Sequence, residues 1–180
     1  MKAVIFLIAG LIALPAMAER YTAITSVDDL SEVTIQVGST TIKAPQTESE
    51  QQGFEEPRIS SNGQLAGWLA LESNCCTSYP IPLTLVIFGR GEVIRRFHES
   101  PPIWQWSFAR HDSAVAVRQH PTHGNSWMSY KLMSISDGKT LQSYSCPIKG
   151  SDVPDDYKPT PVPTWVWSIA NECPERKTGG

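Results

Sequence analysis

The sequence predicts an all-β protein in which two four-stranded antiparallel sheets pack together. The chain repeats itself from position 57 with a period of about 47 to 49 residues, since "FGRGEVIRRF" at 88–97 aligns without a gap with "ISDGKTLQSY" at 135–144. Each repeat contains short runs rich in Val, Ile, Leu, Phe and Trp. Turn-forming residues such as Asn62-Gly63 and Asp137-Gly138 separate these runs, so each repeat is predicted to form four strands.

Residues 1–18 have the features of a secretory signal peptide. Lys2 supplies the positive charge, an apolar run extends to Leu14, and Ala16-Met17-Ala18 forms an A-x-A cleavage site. The apolar run is shorter than the roughly 20 residues that span a bilayer, and no later stretch reaches that length. We expect an exported protein, periplasmic or secreted, with a mature chain that starts at Glu19, no membrane span and one domain over residues 19–180.

A hairpin is predicted over residues 33–44. In "EVTIQVGSTTIKA", apolar residues alternate with polar ones at Val33, Ile35 and Val37, and Gly38-Ser39 forms the turn. The polar and acidic segment that follows, "PQTESEQQGFEEP", is predicted to be a loop.

The two repeat units span residues 57–98 and 103–146. Their turn sequences, "SSNG" in the first unit and "SDGKT" in the second, resemble those of β-propeller blades of the WD40 or TolB type. The stretch "GWLALESNCCTSYPIPLTLVIF" is also similar to a group of secreted bacterial proteins. The resemblance implies blade-like sheets but no particular activity, because propellers host many functions. Closed propellers have about 4 to 8 blades, so two units exclude a closed propeller within this chain.

The C-terminal region is predicted to be a connector followed by a helix. Residues 147–163 are rich in proline, which favours a semi-extended connector. In "TWVWSIANECP", Thr164 is a suitable N-cap and Pro174 would stop a helix, so a short helix is expected over 164–173.

When two sheets stack, the outer face of each sheet still carries apolar side chains that must be shielded from water. We expect the hairpin and the C-terminal helix to cover these faces, and the protein therefore to be a monomer. The apolar residues expected to make this cover are Val33, Ile35, Val37, Trp165, Val166 and Ile169.

The four cysteines, Cys75, Cys76, Cys146 and Cys173, indicate two disulfides in an exported protein. A bond between Cys75 and Cys76 would be strained, because adjacent Cα atoms are about 3.8 Å apart and disulfides usually need about 4.4 Å or more. In extended chain, neighbouring side chains point to opposite sides. The favoured pairing therefore joins one of the two to Cys146 and the other to Cys173. A redox pair and a zinc site are less favoured, because neither C-x-x-C nor C-x2-4-C spacing is present.

The long loops of an up-and-down arrangement fall on one rim of the sheets. This rim collects "ESNCCTSYPIP", "QHPTHGNS" and the link "HESPP", while His111 lies on the opposite rim. Long irregular loops commonly carry function, so this rim is the predicted binding site. Its candidate binding residues are Tyr79, Glu99, His120, His123 and Trp127.

The sequence favours a binding or interaction module without catalytic machinery or cofactor, whose partner is a protein or a small ligand. It contains no G-x-S-x-G, Walker or Rossmann motif. The formal net charge of −3 argues against a nucleic-acid partner. The alternative is a metal-dependent enzyme that uses the loop rim, in which His98, His120 and His123, with Glu99, would hold Zn, Cu or Ni.

Overall fold

The computed structural model describes residues 20–26, 31–123, 127–148 and 153–169, and over these residues the chain forms three antiparallel sheets. The first sheet has three strands in the order β1-β2-β3. Its strands are β1 (Tyr21–Ser26), β2 (Val33–Val37) and β3 (Thr40–Lys43). The predicted hairpin is thus confirmed, with Gly38 in the left-handed region at the β2–β3 turn (φ 57°), and β1 extends it on the other side of β2.

Each repeat forms one four-stranded sheet in which strands adjacent in sequence are adjacent in space. The first-repeat sheet consists of β4 (Gln51–Ile59), β5 (Ala66–Glu72), β6 (Ile81–Gly89) and β7 (Glu92–His98). The second-repeat sheet consists of β8 (Ile103–Ala109), β9 (Ala114–Gln119), β10 (Trp127–Ser134) and β11 (Thr140–Pro147). The predicted all-β class with two four-stranded sheets is confirmed.

The loop predicted between the hairpin and the first repeat is wrong from Gln51 onward, because β4 begins there. Its composition hides the strand, since two of the three buried positions in its first half are Gln51 and Gly53, and only Phe54 is a large apolar residue. Pairing with β5 along its length fixes the strand in spite of that composition.

The central apolar layer lies between the two repeat sheets. Its largest member is Trp106 on β8, which is fully buried. The indole approaches β5 at Gly67, where a Cβ atom would lie 2.6 Å from Cη2 of Trp106. A glycine is therefore required for the sheets to pack this closely. The rest of the layer includes Leu69, Leu85, Ile87, Phe97, Ile103, Val115, Val117 and Met133.

The two outer faces are covered as expected. The three-stranded sheet places Val33 and Ile35 in one core cluster with Trp68 of the first-repeat sheet. The C-terminal segment places Val166 and Ile169 in another cluster with Tyr130 of the second-repeat sheet. Val37 and Trp165 pack against these two clusters at their margins.

The C-terminal helix begins at Val166, later than the predicted Thr164, and its described part is a 3₁₀ helix. It is a single turn, Val166–Ser168, in which the N–H groups of Val166 and Trp167 donate to the carbonyls of Pro163 and Thr164. The remainder of the predicted helix, and the predicted signal peptide, lie outside the described residues. In the part of the chain that the structure describes, no helix is both long and apolar enough to cross a membrane.

Candidate functional site

A cleft of about 670 Å³ opens between β4 and β8, at the end of the sheets that carries the β4–β5 and β8–β9 turns. One part of its lining is apolar and consists of Ile24, Pro57, Ile59, Phe108 and Ala109. The other part is polar and consists of Arg58, Ser61, Ser107, Arg110, His111 and Asp112.

A β-bulge in β4 forms one wall of the cleft. The β4–β5 register shifts between Glu55 and Arg58, and Glu56 takes a left-handed conformation (φ 48°). The indole Nε1 of Trp106 donates to the carbonyl oxygen of Glu56 (2.9 Å), which ties the bulge to the second-repeat sheet. Bulges commonly redirect side chains beside binding sites. Here the bulge precedes Arg58, which lines the cleft.

Arg58 is held in place by two neighbours. Its guanidinium carbon lies 6.0 Å from the ring centroid of Trp106, and the group also pairs with the carboxylate of Glu56. The Nε atom of Arg58 is buried and has no hydrogen-bond partner among the described residues. The aromatic contact and the ion pair together hold the guanidinium before any ligand arrives.

The β8–β9 turn forms the opposite wall and is conformationally unusual. Arg110, His111 and Asp112 are consecutive and all lie in the left-handed region, with φ values of 50°, 53° and 66°. Such residues each cost about 1 to 3 kcal/mol and persist only where neighbouring contacts fix them. Conformations of this kind cluster at functional sites.

Asp112 supplies the contacts that fix this turn. Its carboxylate accepts hydrogen bonds from the hydroxyl of Ser61 (2.7 Å) and from the backbone N–H groups of Ser61 (3.1 Å) and Asn62 (3.0 Å). The turn of one repeat is thereby bound to the turn of the other. Within the described part of the chain, Arg110 and His111 form no ion pair.

We expect Asp112→Asn to destabilise the protein at pH 7 by about 1 to 3 kcal/mol, because Asn replaces one accepting oxygen by an NH2 group and a hydrogen bond to a charged group contributes about 1.5 to 3 kcal/mol. Partial burial by itself would raise the pKa of Asp112, but the hydrogen bonds from Ser61 and Asn62 outweigh it and lower that pKa. A lowered pKa means that the carboxylate stabilises the fold above its unfolded pKa of about 3.9 and loses this effect as the pH falls through the folded value.

Urea unfolding of the wild type and Asp112→Asn at pH 7, 5 and 3 measures this effect. The wild type should exceed Asp112→Asn in free energy of unfolding by the same amount at pH 7 and pH 5, and by a smaller amount at pH 3. Glu92→Gln, which changes an exposed carboxylate at the start of β7, is the control and should shift stability little. An undiminished difference at pH 3 would show that the carboxylate charge is not what stabilises the turn.

The predicted loop rim lies at the opposite end of the sheets, and its residues are engaged in separate local contacts. The Glu99 carboxylate accepts from Nζ of Lys131 (2.5 Å) and from Nε2 of Gln119 (3.3 Å). The ring of His120 stacks on Trp104, with centroids 5.0 Å apart and planes at 14°. The Glu99 contacts join the β7–β8 link to β9 and β10, and the stack joins β8 to the residue that follows β9. Both are structural roles.

The remaining rim residues are also dispersed. Oγ1 of Thr84 donates to Oε1 of Glu72 (2.7 Å) and lies 2.9 Å from Nδ1 of His98. Trp127 meets Tyr157 edge to face at 5.2 Å. Tyr79 is half exposed and His123 is exposed. Over the residues that the structure describes, no three His, Cys, Asp or Glu side chains are grouped to hold a metal ion, so the set of the alternative hypothesis, His98, His120, His123 and Glu99, is not assembled.

The orientation expected for the adjacent cysteines is wrong. Cys75 and Cys76 are exposed thiols whose Sγ atoms lie 2.6 Å apart. The loop turns here instead of running extended, because the side-chain oxygen of Asn74 accepts the N–H of Cys76 (2.8 Å). Neither thiol is bonded to Cys146, which is buried on β11. Cys173 lies outside the described residues.

Reasoning from the sequence missed the cleft, although it placed His111 correctly at the end opposite the long loops. The β4–β5 and β8–β9 turns are short, and nothing in their length suggests a site. One signal was present in the sequence. The β8–β9 turn is built from Arg110, His111 and Asp112, without the Gly that usually serves a left-handed turn.

No protein-family model matches this chain, and a search of curated proteins finds no significant match. The propeller resemblance therefore remains a prediction from the turn motifs.

Proposed function

We propose that the protein is a binding module whose cleft between the two repeats takes a small ligand with an anionic group on an apolar body. The observation that carries this proposal is that two arginines, Arg58 and Arg110, line one cleft, together with His111. The carboxylate of Asp112 cannot neutralise them fully, because it already accepts hydrogen bonds from Ser61 and Asn62.

The charge balance favours an anion at the Arg110 side. Arg58 is partly compensated by its ion pair with Glu56, whereas Arg110 makes no ion pair within the described residues. A guanidinium presents its N–H groups as a fork that fits a carboxylate, sulfate or phosphate. The hydroxyls of Ser61 and Ser107 line the same cleft and can donate to the anion or to polar groups beside it.

The apolar part of the lining accounts for the rest of the ligand. Ile24, Pro57 and Ile59 form one side. Phe108 forms the other and is fixed edge to face against Trp106, with centroids 5.0 Å apart. A volume of about 670 Å³ falls in the range of small-molecule sites. The ligand class is therefore an aromatic or alicyclic acid and not an inorganic ion alone.

We also propose that this binding takes place outside the cytoplasm. The support is the sequence of residues 1–18, with Lys2, the apolar run and the Ala16-Met17-Ala18 cleavage site.

Binding of matched ligand pairs tests the proposal. A panel of aromatic and alicyclic carboxylates, each paired with its uncharged amide, is titrated while backbone amide chemical shifts are followed. We expect the acids, and not the amides, to shift the signals of the β4–β5 and β8–β9 turns. Arg110→Gln should weaken the tightest acid about 10-fold or more, since a hydrogen bond to a charged group is worth about 1.5 to 3 kcal/mol.

Arg90→Gln is the matched control. Arg90, like Arg110, is an arginine in the left-handed region of a hairpin turn (φ 55°), and it is not part of the cleft lining. It should leave binding unchanged. Equal effects of the two substitutions, or shifts confined to the loop rim around Tyr79, would refute the cleft as the binding site.

A further inference from the structure

The loop between β5 and β6 contains two thiols that are not part of the cleft lining. It lies at the opposite end of the first-repeat sheet from the β4–β5 turn. Cys75 and Cys76 are both exposed there, and their Sγ atoms are 2.6 Å apart. This distance brings the two sulfurs close to the bonding separation of about 2.05 Å.

The loop itself imposes this juxtaposition. The side chain of Asn74 accepts the N–H of Cys76 through Oδ1 and donates to Oγ1 of Thr77 through Nδ2. Oγ1 of Thr77 in turn donates to the carbonyl oxygen of Tyr79. These bonds fold the backbone so that consecutive side chains meet on one side, which extended chain does not allow.

We propose that Cys75 and Cys76 form a reversible redox site that exchanges with small-molecule disulfides of the glutathione type. One thiolate attacks the small disulfide, forms a mixed disulfide and releases one thiol. The second cysteine loses its proton and attacks the bound sulfur, which closes a Cys75–Cys76 disulfide ring and releases the second thiol. The cysteine pair is oxidised by two electrons, and one small disulfide is reduced to two thiols.

The contact between the sulfurs favours ring closure after either cysteine has made the first attack. The hydrogen bond with Cys75 raises the pKa of the Cys76 thiol, which favours retention of one proton by the pair until the second attack. Because both sulfurs belong to one folded loop, the second step is intramolecular and should outpace attack by a free thiol. A ring between adjacent residues is strained and exposed, properties that make a disulfide labile and easily reduced.

Oxidation of the full-length mature chain by oxidised glutathione tests the site. After reduction, the protein is exposed to a range of ratios of oxidised to reduced glutathione, quenched and digested without reduction. We expect the peptide that contains both cysteines to lose two hydrogens, without accumulating a glutathione adduct. Cys75→Ser and Cys76→Ser should instead each accumulate one adduct in this peptide, because the second attack is removed.

Asn74→Ala keeps both thiols and tests their positioning. It should slow ring closure, so that the mixed disulfide becomes detectable, while the protein stays folded by circular dichroism. Ser78→Ala, in the same loop, is the control and should close the ring as fast as the wild type. Stable glutathione adducts on the wild type, a bond from this loop to another cysteine, or disulfide-linked dimers would each overturn the proposal.

Discussion

Trp106→Ala is expected to lower the free energy of unfolding by about 3 to 5 kcal/mol, the range for removal of a buried tryptophan. The side chain is fully buried between the two repeat sheets. Its removal leaves a cavity there and breaks the hydrogen bond to the carbonyl of Glu56. Urea unfolding measures the loss. Trp167→Ala is the control, because Trp167 is 52% exposed and should shift stability by less than about 0.5 kcal/mol.

A double-mutant cycle with Gly67 sharpens this prediction. Gly67→Ala alone should be destabilising, because the new Cβ would lie 2.6 Å from Cη2 of Trp106. In the Trp106→Ala background that clash is absent, so the same glycine substitution should cost less. The remaining cost comes from the carbonyl oxygen of Val86, 2.9 Å from the same Cβ position. Strict additivity of the two substitutions would show that the sheets do not meet through this contact.

Trp106 also links stability to the proposed function. Its ring face contacts Arg58, its ring forms an edge-to-face pair with Phe108, and its N–H donates to the carbonyl of Glu56 in the bulge. Loss of the indole therefore loosens both walls of the cleft. Trp106→Ala should weaken acid binding even under conditions where the variant remains folded, whereas Trp167→Ala should leave binding intact.

The repeat, the strand pattern and the hairpin were predictable from sequence because each depends on local signals. Apolar alternation at Val33, Ile35 and Val37 and the turn residues Asn62-Gly63 and Asp137-Gly138 determine strands and turns over a few positions. The strand β4 was missed in part because its first half is polar, and only its pairing with β5 identifies it.

The cleft could not be predicted because it depends on two turns that are far apart in sequence. Asp112 binds Ser61 and Asn62 about 50 positions away, and nothing local indicates this pairing. The turn at Cys75 and Cys76 was missed for a different reason. Extended geometry was assumed for the loop, and the hydrogen bond from Cys76 to the side chain of Asn74 overrides it.

The outer faces of the two repeat sheets are covered by elements with very different amounts of regular structure. The outer face of the first-repeat sheet is covered by a sheet with its own strand pairing. The outer face of the second-repeat sheet is covered by a segment with a single 3₁₀ turn, through Val166, Ile169 and the margin of Trp165. Over its described residues, 164–169, this segment has few backbone hydrogen bonds of its own, so its side chains must supply most of the free energy that holds it on the sheet.

Deletion of residues 164–180 is therefore expected to unfold the protein or cause it to aggregate. It removes Val166 and Ile169, which are 0% and 2% exposed, and it uncovers Tyr130 and Leu132 of the second-repeat sheet. Each fully buried side chain of this size contributes about 1.5 to 3 kcal/mol, and a typical domain is stable by about 5 to 15 kcal/mol. Thermal unfolding and light scattering measure the result, and the intact chain should scatter as a monomer.

Deletion of residues 170–180 separates the effect of this cover from that of the chain end, because it keeps Trp165, Val166 and Ile169 in place. We expect this shorter deletion to retain more of the stability than the longer one and to remain monomeric. Equal loss from both deletions would mean that the cover depends on residues beyond Ile169. A longer deletion that stays folded, monomeric and equally heat-stable would mean that these side chains do not stabilise the second-repeat sheet. A dimer of the intact protein would mean that a second chain completes the cover, because the apolar face that the segment buries can equally be buried by another copy.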